Sequence, residues 1–407
     1  MSALLRLATA SLLARRRTTG LILLALTLSC ALLFGVEKLR SELRTSAYAA
    51  VGAVDLIVGA RTAPEQLLLA TVFHYGALST PLPRSTEARL AAHPAVRFAL
   101  PLSLGDSVAG LPVVGTVPAY FAHLGTPPEG ALAFQAGAPF TSDEEVVLGA
   151  EAARRLGKDL GDPLTLSHGL GAQSFLEHGD HPLRVVGILA PTGTPLDQRV
   201  LVSLEALHAV HAVHDGVASG APEEENISAL LLGLAPRAAA LGLAAQLNRS
   251  EAPPLTAALP ALTLAGLLRW LGAGEAVLRV LSIFVMVVAL AGMLAMMLAS
   301  LEQRRREMAV LRALGAGFGT LLALLLAEAL ILTFLAIGLG LGLVHGGLTL
   351  AAPTLQSATG LALQDLGPTA GEGLLVLGAL ALATLAGLLP AWLAARRALM
   401  DGLSPQG

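Results

Sequence analysis

Four long apolar runs divide the chain, and each has room to cross a membrane as a helix. Thr18–Val36 carries no charge over 19 residues, which is about 28 Å of helix against a bilayer core of about 30 Å. Ala276–Ser300 holds one charge, Arg279. Phe318–Val344 holds only Glu328, and a last run extends from Gly373 to Leu393. The pattern predicts transmembrane helices at 18–36, 275–300, 318–347 and 373–395, with the ends 1–17 and 396–407 outside the spans. Residues 37–274 contain no apolar run of spanning length and hold most of the prolines and histidines, so they read as one large domain outside the membrane.

Within that domain the alternation of apolar positions predicts a mixed α+β fold. Strand-like runs fall at Val54–Val58, Val96–Leu100, Val113–Val117, Val146–Leu148, Leu164–Leu166, Leu183–Leu189, Arg199–Val202 and Ile227–Leu232. Helical spacing marks Pro64–Thr71, Ser85–Ala92, Glu151–Leu156, Leu204–Val213 and Ala235–Leu247. The Pro- and Gly-rich stretches Leu78–Arg84, Gly125–Gly130 and Val217–Glu225 read as loops. A break into two subdomains fits near Leu102–Gly110 or near Ser203. Leu262–Leu271 is an amphipathic helix leading straight into the second span, a mechanical link between domain and membrane.

Charge sets the orientation. Arg15–Arg17, Arg304–Arg306 with Arg312, and Arg396 with Arg397 fall on one side of the four spans. The loop at 348–372 has no Lys or Arg and falls on the other. The positive side is cytoplasmic, which puts both termini in the cytoplasm. A cleaved signal peptide is the rival reading of the first run. Its uninterrupted length and the helical continuation Glu37–Arg44 favour a retained anchor.

Composition agrees: of 407 residues, 54% are hydrophobic and 14% charged, and the mean hydropathy of +0.70 is too high for an ordinary soluble enzyme. The net charge of -3 and the lack of a basic stripe give no sign of a nucleic-acid partner. Cys30, the one cysteine, excludes an intrachain disulfide and reads as a small packing residue. The only lysines are Lys38 and Lys158, and neither completes a P-loop, so any ATP used by this protein, with its Mg, is bound by another chain.

The cytoplasmic elbow at 301–317 is the densest charge cluster in the C-terminal half. Met308, Leu311 and Leu314 recur at a spacing of three, Glu302, Arg304, Arg305, Arg306, Glu307 and Arg312 supply the charge, and Gly315 supplies a stop. The arginines either hold the topology alone or form a docking face for a cytoplasmic partner. Glu328, about ten residues into the third span, is an intramembrane polar candidate, better read as facing a helix interface or polar cavity than as part of a proton relay. Gly338, Gly340 and Gly342 allow helices to approach closely. His208, His211 and His214 at steps of three, and His178 and His181 around Asp180, lack the neighbours of a metal site and read as solvated. No nucleophile elbow or paired catalytic carboxylates occur, since Asp143, Glu144 and Glu145 sit in a turn, so the chain reads as non-catalytic and without a cofactor of its own.

The elbow sequence Glu302, Arg304–Ala316, then Glu328–Leu330, Gly338–Gly342, and the closing Pro390, Ala391 and Ala394–Arg397 ahead of Leu403 resemble the MacB/FtsX-type permeases of ABC transporters, the mechanotransmission or type VII group. Asp143–Gly149, Ala152–Gly157, Gly161, Leu183–Leu189 and Ser228–Leu234 resemble that family's periplasmic domain. The resemblance implies a permease pair, two copies or one with a sister permease, resting on separate cytoplasmic ATPases that push the elbow as a coupling helix. About 17 residues precede the first span, so the chain resembles the stand-alone permeases rather than those with a fused ATPase. The activity implied is export or extraction of an amphipathic substrate such as a lipoprotein, peptide or antibiotic. The alternative is an FtsX-like signalling subunit that activates a cell-wall hydrolase or another envelope partner without transport. A periplasmic adaptor and membrane lipid are further partners implied.

Overall fold

The computed structural model describes residues 2–52, 54–125, 130–165, 182–214, 226–251, 253–303, 316–359 and 367–401. The chain forms two compact units: Met1–Glu42 with Gly272–Ala351 and Asp365–Gly407, and Leu43–Leu271 with Ala352–Gln364.

Four helices long and apolar enough to cross a membrane make up most of the first unit, with their ends at 43–51, 260–271 and 352–359 assigned to the second. They run Arg16–Val51, Pro260–Gln303, Phe318–Thr359 and Ala370–Asp401, and a short apolar helix, Ser2–Ala14, precedes them. Each outruns the apolar run that predicts it, because a started helix propagates cheaply until a breaker stops it. Glu37–Arg44 consists of good helix formers apart from Ser41, and Gly52 is the first glycine beyond it. Proline opens the second helix at Pro260, where its missing N–H costs nothing. The third continues through Pro353 into the stretch expected to be loop, and its last turn is held from the second unit's own loop at Gln356, as described below.

Leu26, Cys30, Phe34, Met286, Leu290, Met293, Leu325, Leu332 and Ile337 form the bundle core. A side chain on Gly340 would meet Cys30 Cβ at 2.8 Å, whereas Gly338 and Gly342 face open space. Of the three glycines, only Gly340 is used for close approach. Outward-facing Leu21, Leu24, Leu28, Val280, Phe284 and Phe334 stay exposed. Apolar faces of this extent fit lipid, not water.

The second unit is α+β. Its strands are β1 (Leu56–Ala60), β2 (Leu82–Pro83), β3 (Val96–Val108), β4 (Leu111–Thr116), β5 (Phe134–Gly137), β6 (Glu145–Leu148), β7 (Pro163–Leu164), β8 (Leu183–Leu189), β9 (Val200–Ser203), β10 (Asn226–Ile227), β11 (Ala229–Leu234) and β12 (Leu255–Ala258). Ten of them pair in the order β12-β1-β11-β3-β4-β9-β6-β8-β5, with β7 on β8, and β10 pairs β2. Helices Pro64–Thr71, Ser85–Ala91, Ala119–His123, Ala150–Leu156, Leu204–His214 and Ala239–Asn248 complete it.

β3 is the hinge of this topology. Val96–Leu102 pair with β11, Ser103–Val108 pair with β4, and the register slips between Leu104 and Ser107. A strand that changes partner must bend, and an irregularity lets it do so. The stretch read as a subdomain break is therefore a single strand. On one side Leu56, Leu230, Leu232 and Leu243 pack together, and on the other Val113, Val146, Leu148 and Val200. A third cluster, with Ile57, Leu100, Val147, Leu201 and Leu231, also takes Ala47 and Val51 from the end of the first long helix and Leu264 from the start of the second.

Candidate functional site

The elbow lies largely outside the described residues: this holds for Arg304, Arg305, Arg306, Glu307, Met308, Leu311, Arg312, Leu314 and Gly315, and for the side chain of Glu302, at the end of a helix closing at Gln303. His178 and His181 also lie outside, while His208 Nε2 meets the Asn226 carbonyl at 3.1 Å.

Glu328 is 5% exposed and lines a cavity of about 140 Å³ with Ser11, Arg15, Thr18, Thr19 and Met297. That is far above the ~15 Å³ one water needs. Packing of the short N-terminal helix and the first long helix brings a charge and three hydroxyls, none of them in Glu328's own span, to the lining of this cavity. Glu328 faces a polar cavity, and Arg15, read from sequence only as a topology signal, belongs to the same site.

At the other end of the bundle, Arg279 meets Glu37 Oε2 at 2.9 Å, Glu37 also pairs with Arg40, and Arg40 reaches Glu275 at 4.0 Å. Lys38 is fully buried, 3.3 Å from Glu42, and donates to the Gly367 carbonyl at 2.6 Å. The last long helix opens with a reciprocal cap: Thr369 N donates to Glu372 Oε2 at 2.8 Å and Glu372 N to Thr369 Oγ1 at 3.2 Å. The Thr-Ala-Gly-Glu sequence carries that signature. His345 Nε2 lies 3.4 Å from the other oxygen of Glu372.

In the outer domain the loop 191–199 is organised by Asp197, which is 0% exposed. Oδ1 accepts from Thr192 N at 2.7 Å and Thr192 Oγ1 at 2.8 Å. Oδ2 accepts from Gly193 N at 2.9 Å and Gln356 Nε2 at 3.3 Å. Gln198 Nε2 then donates to the Gln356 carbonyl at 2.8 Å, one of the last four carbonyls of a helix that have no partner within it. Gly149 closes the other side of this loop: its N–H donates to the Arg199 carbonyl at 2.9 Å, and a methyl there would run into the Leu196 and Asp197 carbonyls.

Beside the loop lies a cavity of about 720 Å³, whose lining includes Tyr48, Val72, His74, Tyr120, Leu132 and Leu231. Arg199, 6% exposed, donates to the Phe73 carbonyl at 3.2 Å, between lining residues Val72 and His74. Its Nε–H has no partner, and burial pushes the guanidinium pKa down to about 10. His74 adopts φ +52, a left-handed conformation uncommon for a side-chain-bearing residue. Both its ring nitrogens are closed off without a hydrogen bond. Burial, and then the Arg199 charge, hold its pKa well below the usual value, with partial compensation from the Val72 backbone. Burial also pushes the Tyr120 phenol up.

A depressed folded-state pKa means that the unfolded chain takes up the proton first. The contribution of neutral His74 is intact above its ordinary pKa of 6.5 and is lost as pH falls below it, by up to about 1.4 kcal/mol per pH unit until the folded ring titrates. Urea titrations at pH 8 and 5.5 will show a larger acid loss for the native chain than for His74→Asn, a residue that tolerates the same backbone. Equal losses exclude His74 as the cause.

Four apolar helices and a large α+β domain between the first two define a multi-pass membrane protein with most of its polar surface in one insert. Residues 20–249 match the MacB-like periplasmic core domain, and residues 279–400 the FtsX-like permease C-terminal region. The chain belongs to the MacB/FtsX-type family of ABC transporter permeases. Among solved structures, the periplasmic region of MacB from Actinobacillus actinomycetemcomitans aligns at 14% identity and a TM-score of 0.34, over 53% of this chain and 95% of that one. The extracellular domain of the noncanonic ABC-type transporter YknZ from Gram-positive bacteria aligns at 13% identity and a TM-score of 0.31, over 50% of this chain and 98% of that one. No curated protein matches the chain.

Proposed function

We propose that this chain is the non-catalytic permease subunit of an ABC transporter in the cytoplasmic membrane, with both termini in the cytoplasm. It works as a pair, with a second copy or a sister permease, on cytoplasmic ATPase subunits that bind ATP and Mg. ATP-driven motion at the elbow is passed to the outer domain, which moves an amphipathic substrate such as a lipoprotein, peptide or antibiotic. The observation that supports this most is the helix Pro260–Gln303. It is continuous over 44 residues, about 66 Å at 1.5 Å per residue. Leu264 belongs to the outer-domain core and Met286, Leu290, Met293 and Met297 to the bundle core, and the described helix takes in the first elbow residues, 301–303. After Pro260 the helix contains no proline, the main cause of a sharp kink.

The test starts with the ATPase that copurifies with the tagged chain. Reversing Arg304, Arg305 and Arg306 to Glu, or placing proline at Ala309, will cut stimulation of that ATPase by at least about tenfold, the scale of losing charge-assisted contacts at an interface. The outer domain will keep its native protease resistance. Full retained stimulation refutes the elbow as the docking face.

A further inference from the structure

We propose that the outer-domain chamber is a binding site for an uncharged single-chain amphiphile, a molecule with an apolar body and one neutral head that accepts a hydrogen bond from the Tyr120 hydroxyl. At about 720 Å³ the chamber falls within the roughly 300–1,000 Å³ range of small-molecule sites. Val54, Val72, Leu124, Leu132, Leu196 and Leu231 give its lining apolar surface. Tyr48, 44% exposed, belongs to the same lining and carries it out to the protein surface.

The lining decides the charge of the ligand. Among the described residues it contains no Asp, Glu, Lys or Arg, and its one histidine, His74, has both ring nitrogens closed off. A carboxylate, phosphate or ammonium brought inside sheds water and meets no opposite charge, the most unfavourable way to bury an ion. A neutral head avoids that penalty.

One side chain is placed to receive such a head. Thr71 Oγ1 is taken up by the Leu67 carbonyl at 2.7 Å, Thr192 Oγ1 by Asp197 Oδ1 at 2.8 Å, and Thr194 Oγ1 by Thr192 Oγ1 at 2.8 Å. Tyr120 is 3% exposed and lines the chamber. Its hydroxyl oxygen is neither hydrogen-bonded among the described residues nor sealed off. In a residue this buried, the space that reaches the oxygen is the chamber that the residue lines. Burial keeps the phenol protonated, so it donates. Water in the chamber meets a mostly apolar wall with this one open hydroxyl, and poorly ordered water of that kind is favourably displaced by apolar groups.

The experiment is photolabelling of the full chain in lipid nanodiscs at pH 8 with a diazirine analogue of decanol, mapped by mass spectrometry, with decanol and decanoate as competitors. Labelling of the peptides that carry 48–52, 120–124 and 131–133 will saturate. Decanol will displace the label at least about tenfold more effectively than decanoate at equal free concentration, since the carboxylate meets no counter-charge. Tyr120→Phe, which removes only the hydroxyl, will raise the half-saturating concentration about threefold to tenfold, the scale of one neutral hydrogen bond. The thermal midpoint will stay in place, because no partner is lost. Labelling confined to the membrane-spanning helices overturns the proposal, as does outer-domain labelling that does not saturate. Decanoate competing as well as decanol overturns the neutral head, and an unchanged half-saturating concentration in Tyr120→Phe overturns the hydroxyl as its partner. Binding is read without ATP, so this site stands or falls separately from the elbow.

Discussion

Asp197→Ala will destabilise the outer domain by about 4 kcal/mol, among the largest effects of a single substitution in this chain. The carboxylate is 0% exposed and accepts from Thr192 N, Thr192 Oγ1, Gly193 N and Gln356 Nε2. Removal leaves buried donors without acceptors, each costing about 1–3 kcal/mol. Asp197→Asn will recover only part of the loss, because an amide NH₂ then faces a donor. The loop also holds the end of the third long helix at Gln356, so the order of that helix end will fall with it. Urea unfolding of the full chain, followed by circular dichroism, measures the loss, and a value under about 1 kcal/mol shows that the loop is held by its apolar contacts instead.

Lys38→Met will cost about 3–4 kcal/mol, and the double change Lys38→Met with Glu42→Leu will recover most of it. Lys38 is 0% and Glu42 5% exposed in their side chains, 3.3 Å apart. Removing one partner leaves the other charge in a poorly solvated place, whereas replacing both with apolar residues removes the desolvation cost as well as the attraction. Thermal unfolding in nanodiscs separates the cases. If the double variant is no more stable than the single, the two groups are not an energetic pair, and the contact from Lys38 to the Gly367 carbonyl at 2.6 Å carries the stabilisation.

Much of the architecture is legible in the chain because membrane spans and central strands are written in local composition. Leu183–Leu189 is a strand by pattern and in the structure, and the four apolar runs all lie in long helices. β5 and β12 carry no such pattern. Phe-Gln-Ala-Gly and Leu-Thr-Ala-Ala have almost no β-branched residues, and they become strands by pairing with β8 and β1. The length of β3 is likewise set by its two successive partners and not by its own residues.

The candidate sites divide in the same way. The Thr369–Glu372 cap spans three residues, and Thr194, at the N-cap before Pro195 with Asp197 following, is a readable helix start. The elbow, a run of arginines between two apolar stretches, lies largely outside the described residues. What could not be read are the meetings across long separations: Arg15 lining one cavity with Glu328, Arg279 on Glu37 across 242 residues, and Arg199 on the Phe73 carbonyl across 126.

By itself, then, the order of residues determined the number of apolar helices long enough to span a membrane and the mixed character of the domain between the first two. These follow from transfer free energy and local spacing, which each stretch carries alone. Only tertiary structure decided which buried charge meets which acceptor and where a chamber opens. Such positions exist only after distant segments pack, and their energies depend on the surroundings that the packing creates.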